Sequence, residues 1–175
     1  MIGTLFSVKY YSYECDGWEA KKAELLKHID PGSFERAGSA QFATDRHSEH
    51  EPYVEPFVNI FSDELNRFGV DANLRELDVR SIWSVRYRRG DYHSVHNHRS
   101  TGYSGILYLD YDDRVHTPSI HVSPWNDPAS DMTVLMAPPV REGTIVFAPS
   151  NVLHYTRPNN SDTERAIVAF DMEVR

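Results

Sequence analysis

Apolar and polar positions alternate through most of the second half of the chain. Ser81, Trp83, Val85 and Tyr87 fall on one face of an extended run and Arg86 and Arg88 on the other, the two-residue period of a strand. Further strands are predicted over Tyr103–Tyr111, Ser119–Val122, Met132–Ala137, Gly143–Phe147 and Arg165–Val174. Gly90-Asp91, Pro138-Pro139 and Arg141-Glu142-Gly143 mark turns between them. Several short strands with frequent turns imply a sandwich or barrel.

The first half follows a different period. A strand is predicted over Leu5–Tyr13, then a helix capped by Asp16 or Gly17, with Trp18, Leu25, Leu26 and Ile29 as its apolar stripe and Asp30-Pro31-Gly32 as its stop. The stretch Gly32–Glu51 is polar and aperiodic and reads as one long loop, a candidate lid. A second helix is predicted over Glu55–Phe68, where Phe57, Ile60, Phe61, Leu65 and Phe68 recur at three- and four-residue steps and Gly69 stops it. The expected class is therefore mainly β with flanking α-helices.

With 175 residues the chain is expected to be a single domain. Residues 1–75 would supply a strand, supporting helices and the long loop, and 76–175 the β core. The one cysteine, Cys15, excludes an intramolecular disulfide framework. There is no apolar run of about 18 residues, and the opening MIGTLFSVKYY lacks the sections of a signal peptide. Cytoplasmic localisation is the expectation. A formal net charge of −8 argues against general affinity for nucleic acid or an anionic membrane. Oligomeric state is not legible.

Candidate chemistry concentrates in two segments. GDYHSVHNHRSTGYSGILY places His93, His96 and His98 within six residues, and APSNVLHYTRPNNSDTERAIVAF supplies His154 and Arg165. Residues i and i+2 of an extended chain share a face, so His96 and His98 are able to aim at one point. Imidazole is the commonest side-chain ligand of iron, zinc, copper and nickel. His154, after a β-like run and a Pro-Ser-Asn turn, is the natural third ligand. Three ligands leave about half of an octahedral ion open. His121 is expected on a strand flanking that site, whereas Ser104 and Ser150 lack an evident base for nucleophilic catalysis.

The block SIWSVRYRRGDYHSVHNHRSTGYSGILYL, followed by GTIVFAPSNVLHYTRPNNSDTERAIVAF, resembles the 2-oxoglutarate- and iron(II)-dependent oxygenases. The likeness is to a small bacterial and phage group with a Trp-containing strand, a His-x-His pair, a Ser-Gly-x-x-Tyr strand and a Phe-x-Pro-Ser-x-x-x-His run, and more distantly to prolyl 4-hydroxylases. It spans Ser81 to Phe170. The resemblance implies a double-stranded β-helix, a cupin-like jelly roll, with iron(II) and 2-oxoglutarate as cofactors. It makes His96 and His154 iron ligands, Arg165 the partner of the far carboxylate of 2-oxoglutarate, and Tyr108 the strand tyrosine that helps hold it. Hydroxylation of a small-molecule or peptide substrate is the expected reaction.

Two positions depart from the wider pattern. His98 stands where a carboxylate is usual, so either His98 is the third ligand or a carboxylate such as Asp110 or Asp112 reaches in. Ile167 occupies a position where many relatives carry a serine that shares the cosubstrate carboxylate. The alternatives are a three-histidine cupin-type metalloenzyme that does not use 2-oxoglutarate, or a non-catalytic jelly-roll binding module.

Overall fold

A computed structural model describes residues 7–36, 41–47 and 53–175. Eleven strands and three helices occur among them: β1 Tyr11–Glu14, α1 Trp18–Leu25, β2 Glu35–Arg36, β3 Ala43–Thr44, α2 Val54–Ile60, α3 Ser62–Asp71, β4 Leu77–Tyr87, β5 His93–His96, β6 Tyr103–Asp110, β7 Ile120–Asp127, β8 Met132–Met136, β9 Thr144–Pro149, β10 His154–Thr156 and β11 Arg165–Val174. They form a seven-stranded sheet, ordered β1-β9-β6-β11-β4-β3-β2, and a four-stranded sheet, ordered β5-β10-β7-β8. All pairings are antiparallel. This is the expected jelly roll, mainly β with flanking helices.

β11 shows how the sequence builds the layers. Its even members Ala166, Val168, Phe170 and Met172 join the core beneath the helices, with Phe57, Leu65 and Phe68. Ile167 and Ala169 join the second core, with Trp83, Val85, Tyr87 and Tyr108. Successive side chains of a strand point to opposite faces, so the run is apolar throughout because both its faces are buried. Close packing explains Gly105 of the Ser-Gly-x-x-Tyr motif: a Cβ there would overlap the Phe170 ring. Phe170 in turn lies 4.7 Å from Phe57 and 5.8 Å from Phe147, centroid to centroid.

Several expectations need correction. The first strand begins at Tyr11, residues 7–10 carry no regular structure, and Leu5 and Phe6 lie outside the described residues. The first helix ends at Leu25, and its expected stripe is uneven, since Leu25 and Ile29 are buried but Leu26 is exposed. The second helix is two, broken at Phe61, whose ψ of 23° leaves helical geometry. It then runs through Gly69 to Asp71, since a glycine in a helix interior costs only about 1 kcal/mol.

The stretch 32–51 is no featureless loop. β2 and β3 form a hairpin at the edge of the wide sheet, while 37–40 and 48–51 lie outside the described residues. Buried Asp45 secures the hairpin by accepting the backbone N–H of Ser84 at 2.7 Å. β5 and β10, too short to announce themselves, are additional strands.

Candidate active site

The narrow sheet aligns the imidazoles. β10 lies between β5 and β7, pairing His154 with His96 on one side and with His121 on the other. His98 follows two residues after His96, and its backbone N–H is held by Ser150 O at 3.0 Å. One ring nitrogen from each of His96, His98 and His154 lies within 4.8 Å of the other two. Two segments about sixty residues apart in sequence thus converge as their spacing predicts.

Hydrogen bonds decide which nitrogens are available. His96 Nδ1 lies 2.8 Å from Ser94 O, His154 Nδ1 3.1 Å from Val152 O, and His98 Nδ1 2.7 Å from Asp171 Oδ1. Carbonyl and carboxylate oxygens only accept, so each Nδ1 carries a proton and Nε2 is the nitrogen left to face a metal. Burial, with the neighbouring imidazoles, pushes His154 down to about 2 and lowers His96 as well. Both are neutral at physiological pH, the state a metal requires. His93 stacks on His96 at 3.8 Å and on Phe42 at 4.3 Å, as a wall of the cleft.

Among the described residues no carboxylate joins the three rings. Asp110 pairs with Lys22 at 2.7 Å, and Asp112 pairs with Arg114 at 2.7 Å. A carboxylate does stand directly behind His98. Asp171 is 3% exposed and also accepts from Ser104 Oγ at 2.9 Å and, more weakly, from Ser81 Oγ at 3.4 Å. Burial alone would raise its pKa, but the His98 and Ser104 hydrogen bonds prevail and hold it below the usual carboxylate range. Sequence reading missed Asp171, although an acid inside the apolar run Ala166–Met172 was a visible signal.

Arg165 lies on the same strand, six residues before Asp171 and therefore on the same face. Its side chain is 1% exposed, stacked over the Tyr87 ring at 4.4 Å. Nη1 donates to Thr117 O at 2.7 Å and Nη2 to Arg157 O at 3.4 Å, while Nε and the Tyr87 hydroxyl are buried without a partner. Among the described residues no carboxylate pairs with this guanidinium. Tyr108 Oη beside it accepts the Ser119 N–H at 3.1 Å. A buried cation lacking a counterion is costly, and a bound dicarboxylate would relieve it. Ile167 offers that ligand only an apolar wall.

Two openings lie near these residues. A narrow cleft of ≈ 20 Å³ between the sheets is lined by the three histidines, Trp83, Tyr87 and Thr156. Arg46, carried in by the hairpin, lies over Trp83 at 4.1 Å and also lines it; nothing in the sequence pattern pointed to it. A wider cleft of ≈ 330 Å³ lies beside His121, walled by Tyr10, Trp125, Val134, Met136 and Pro149. His121 is buried with Nδ1 unpartnered, its ring 5.5 Å from that of His154.

Comparison with known proteins agrees with this geometry. Residues 81–171, just over half of the chain, match the family model described as "Putative 2OG-Fe(II) oxygenase". No curated protein matches the sequence. Among solved structures, the chain is similar to a 2OG-Fe(II) oxygenase family oxidoreductase from Burkholderia pseudomallei, at 16% identity and a TM-score of 0.66, covering 94% of this chain and 85% of that one. It is also similar to the non-heme alpha ketoglutarate dependent carbocyclase SnoK from nogalamycin biosynthesis (14%, TM-score 0.68, 94% and 80% covered). A third is the viral collagen prolyl hydroxylase of Paramecium Bursaria Chlorella virus-1, in its 2OG complex (12%, TM-score 0.60, 93% and 94% covered). The structures share the fold, the family model spans both histidine segments, and the chain belongs to the non-haem 2-oxoglutarate- and iron(II)-dependent oxygenases.

Proposed function

We propose that His96, His98 and His154 are the iron ligands, and that Arg165, assisted by Tyr108, holds the far carboxylate of 2-oxoglutarate. With iron(II) and 2-oxoglutarate bound there, the site would supply an oxidation by dioxygen, one oxygen atom going into a hydroxylated substrate and the other into succinate as the cosubstrate loses carbon dioxide. The chain's own residues prepare for it. Ser94 O, Val152 O and Asp171 fix the three rings with Nε2 outward, and the apolar walls Trp83, Val85, Ile106, Ile167 and Ala169 exclude water from the space between the sheets.

The observation that carries this reading is the uncompensated guanidinium of Arg165 on the inner face of the strand that also backs His98. A site for metal alone would have no use for it. The cleft beside His121, whose ring lies 5.5 Å from that of His154, is where a small molecule or peptide side chain would enter against apolar walls. The whole chain acts as one domain, with residues 76–175 carrying the site and 1–75 buttressing it. The cytoplasm suits it, for among the described residues no helix is long and apolar enough to cross a membrane.

One feature favours a second reading. A group of three imidazoles joined by no carboxylate among the described residues also suits a cupin-type metalloenzyme that needs no 2-oxoglutarate. The two separate on titrating the anaerobic iron(II)-loaded protein with 2-oxoglutarate. The parent develops the visible charge-transfer band of the chelate and releases succinate in air. Arg165→Met weakens 2-oxoglutarate by roughly ten- to hundredfold, the loss of about 1.5–3 kcal/mol expected for hydrogen bonds to a charged group. No band in the parent selects the second reading, and a band equally strong in Arg165→Met removes Arg165 as the anchor of the cosubstrate.

A further inference from the structure

The three histidines are not equivalent behind the ring. His96 and His154 lean on neutral backbone carbonyls, whereas His98 leans on an ionised, almost wholly buried aspartate. An asparagine at 171 would accept the same hydrogen bonds from His98 Nδ1 and Ser104 Oγ through its amide oxygen. It would do so without a buried anion, which is expensive unless compensated. Apart from the His98 ring itself, compensation is meagre: among the described residues the next cation is Arg99, whose half-exposed guanidinium places Nε 3.9 Å from Oδ2. The fold holds a negative charge here that its hydrogen bonding does not require. His98 is also the residue that stands where a carboxylate ligand would be expected.

We infer that Asp171 is a positioning residue that serves as the carboxylate of this metal centre at one remove, lending its negative charge to the ion through the His98 ring and so offsetting the neutral ligand set. An imidazole that donates its Nδ1 proton to a carboxylate becomes a more basic ligand at Nε2, and such outer partners are worth roughly 10–100-fold in metal affinity. Ser104 Oγ bonds both Asp171 and Ser150 Oγ, at 2.9 and 2.8 Å. It fixes the carboxylate's rotation, so the serine of the Ser-Gly-x-x-Tyr strand belongs to the same device. This inference rests on reading the three histidines as metal ligands.

Cobalt(II) is the probe, followed by its visible absorption on the metal-free full chain, with thermal unfolding of the same samples. Asp171→Asn retains the acceptor and removes the charge; Asp171→Ala removes both. Asp171→Asn is expected to unfold no earlier than the parent yet to bind cobalt(II) roughly 10–100-fold more weakly, and Asp171→Ala more weakly still. Affinity in Asp171→Asn within twofold of the parent would overturn the inference, leaving Asp171 a mere hydrogen-bond acceptor. Should neither variant fold, nitrogen NMR of the parent's histidine rings decides it. With zinc(II), His98 is expected to keep its Nδ1 proton and to shift at Nε2, and metal on Nδ1 would overturn the inference. A parent that binds no cobalt(II) at all would sink the metal reading itself, an outcome distinct from loss in the variants alone.

Discussion

In the seven-stranded sheet, β11 runs ten residues between β4 and β6 with both faces buried; in the four-stranded sheet, β10 runs three residues between β5 and β7. The wide sheet is packed against α1–α3 on one side and carries Arg165, Tyr108 and Asp171 on the other. The narrow sheet carries His96, His121 and His154, and its outer strand β8 is largely exposed, with Met132, Val134 and Leu135 all in solvent. The charged Arg165 and Asp171 therefore sit on the well-packed sheet, and two of the three proposed metal ligands on the sheet with little core of its own. His98 sits in the segment that joins β5 to β6 and ties to the wide sheet through Asp171. A metal bound by His96, His98 and His154 would bridge the two and stabilise the fold by mass action.

The largest effect that breaks this comparison comes from the wide sheet. Phe170, fully buried among Phe57 and Phe147, should cost about 3–5 kcal/mol when truncated to alanine. Urea unfolding measures it, and a loss below about 1 kcal/mol would mean that the helix-side core is not the main support.

Acid should act on the narrow sheet and its surroundings instead. Burial pushes His121 down to about 4 and His93 to about 3, from an ordinary 6.5. Between those values the unfolded chain binds protons that the folded chain does not, so stability rises with pH across the window and falls as pH drops from 6.5 toward 4. The loss by pH 4 should be on the order of 3 kcal/mol from each ring. A urea midpoint that stays flat from pH 7 to 4.5 would contradict the burial of these rings. The smallest effect belongs to the edge: Leu135→Ser, half-exposed on β8, should change stability by no more than about 0.5 kcal/mol.

The wide sheet's long strands were the most legible in the sequence, because a strand buried on both faces writes a long apolar run. Arg165–Val174 was read to the residue and Tyr103–Tyr111 to within one. β5 and β10 were not read as strands, since three or four residues rich in histidine and serine carry no period. The β2-β3 hairpin was hidden for a similar reason: its place is set by the Asp45 carboxylate gripping Ser84, a contact between distant residues. The break at Phe61 was invisible because the apolar spacing continues across it.

The site divides the same way. Ligand-type residues announce themselves by spacing, and His96, His98 and His154 lie together as expected. Their neighbours do not: Asp171 shows in the sequence only as an acid in an apolar run, with nothing to link it to His98, and Arg46 appears only once strands from remote parts of the chain are side by side.

The central claim, that the three rings bind one ion, is tested most directly by anaerobic iron(II) equilibrium binding to the parent and to His154→Ala. One iron per chain in the parent, with affinity falling by at least about a hundredfold in a variant that still folds, is the predicted result, since removing one of three protein ligands removes a large part of the binding free energy. Equal iron affinity in parent and variant would contradict it.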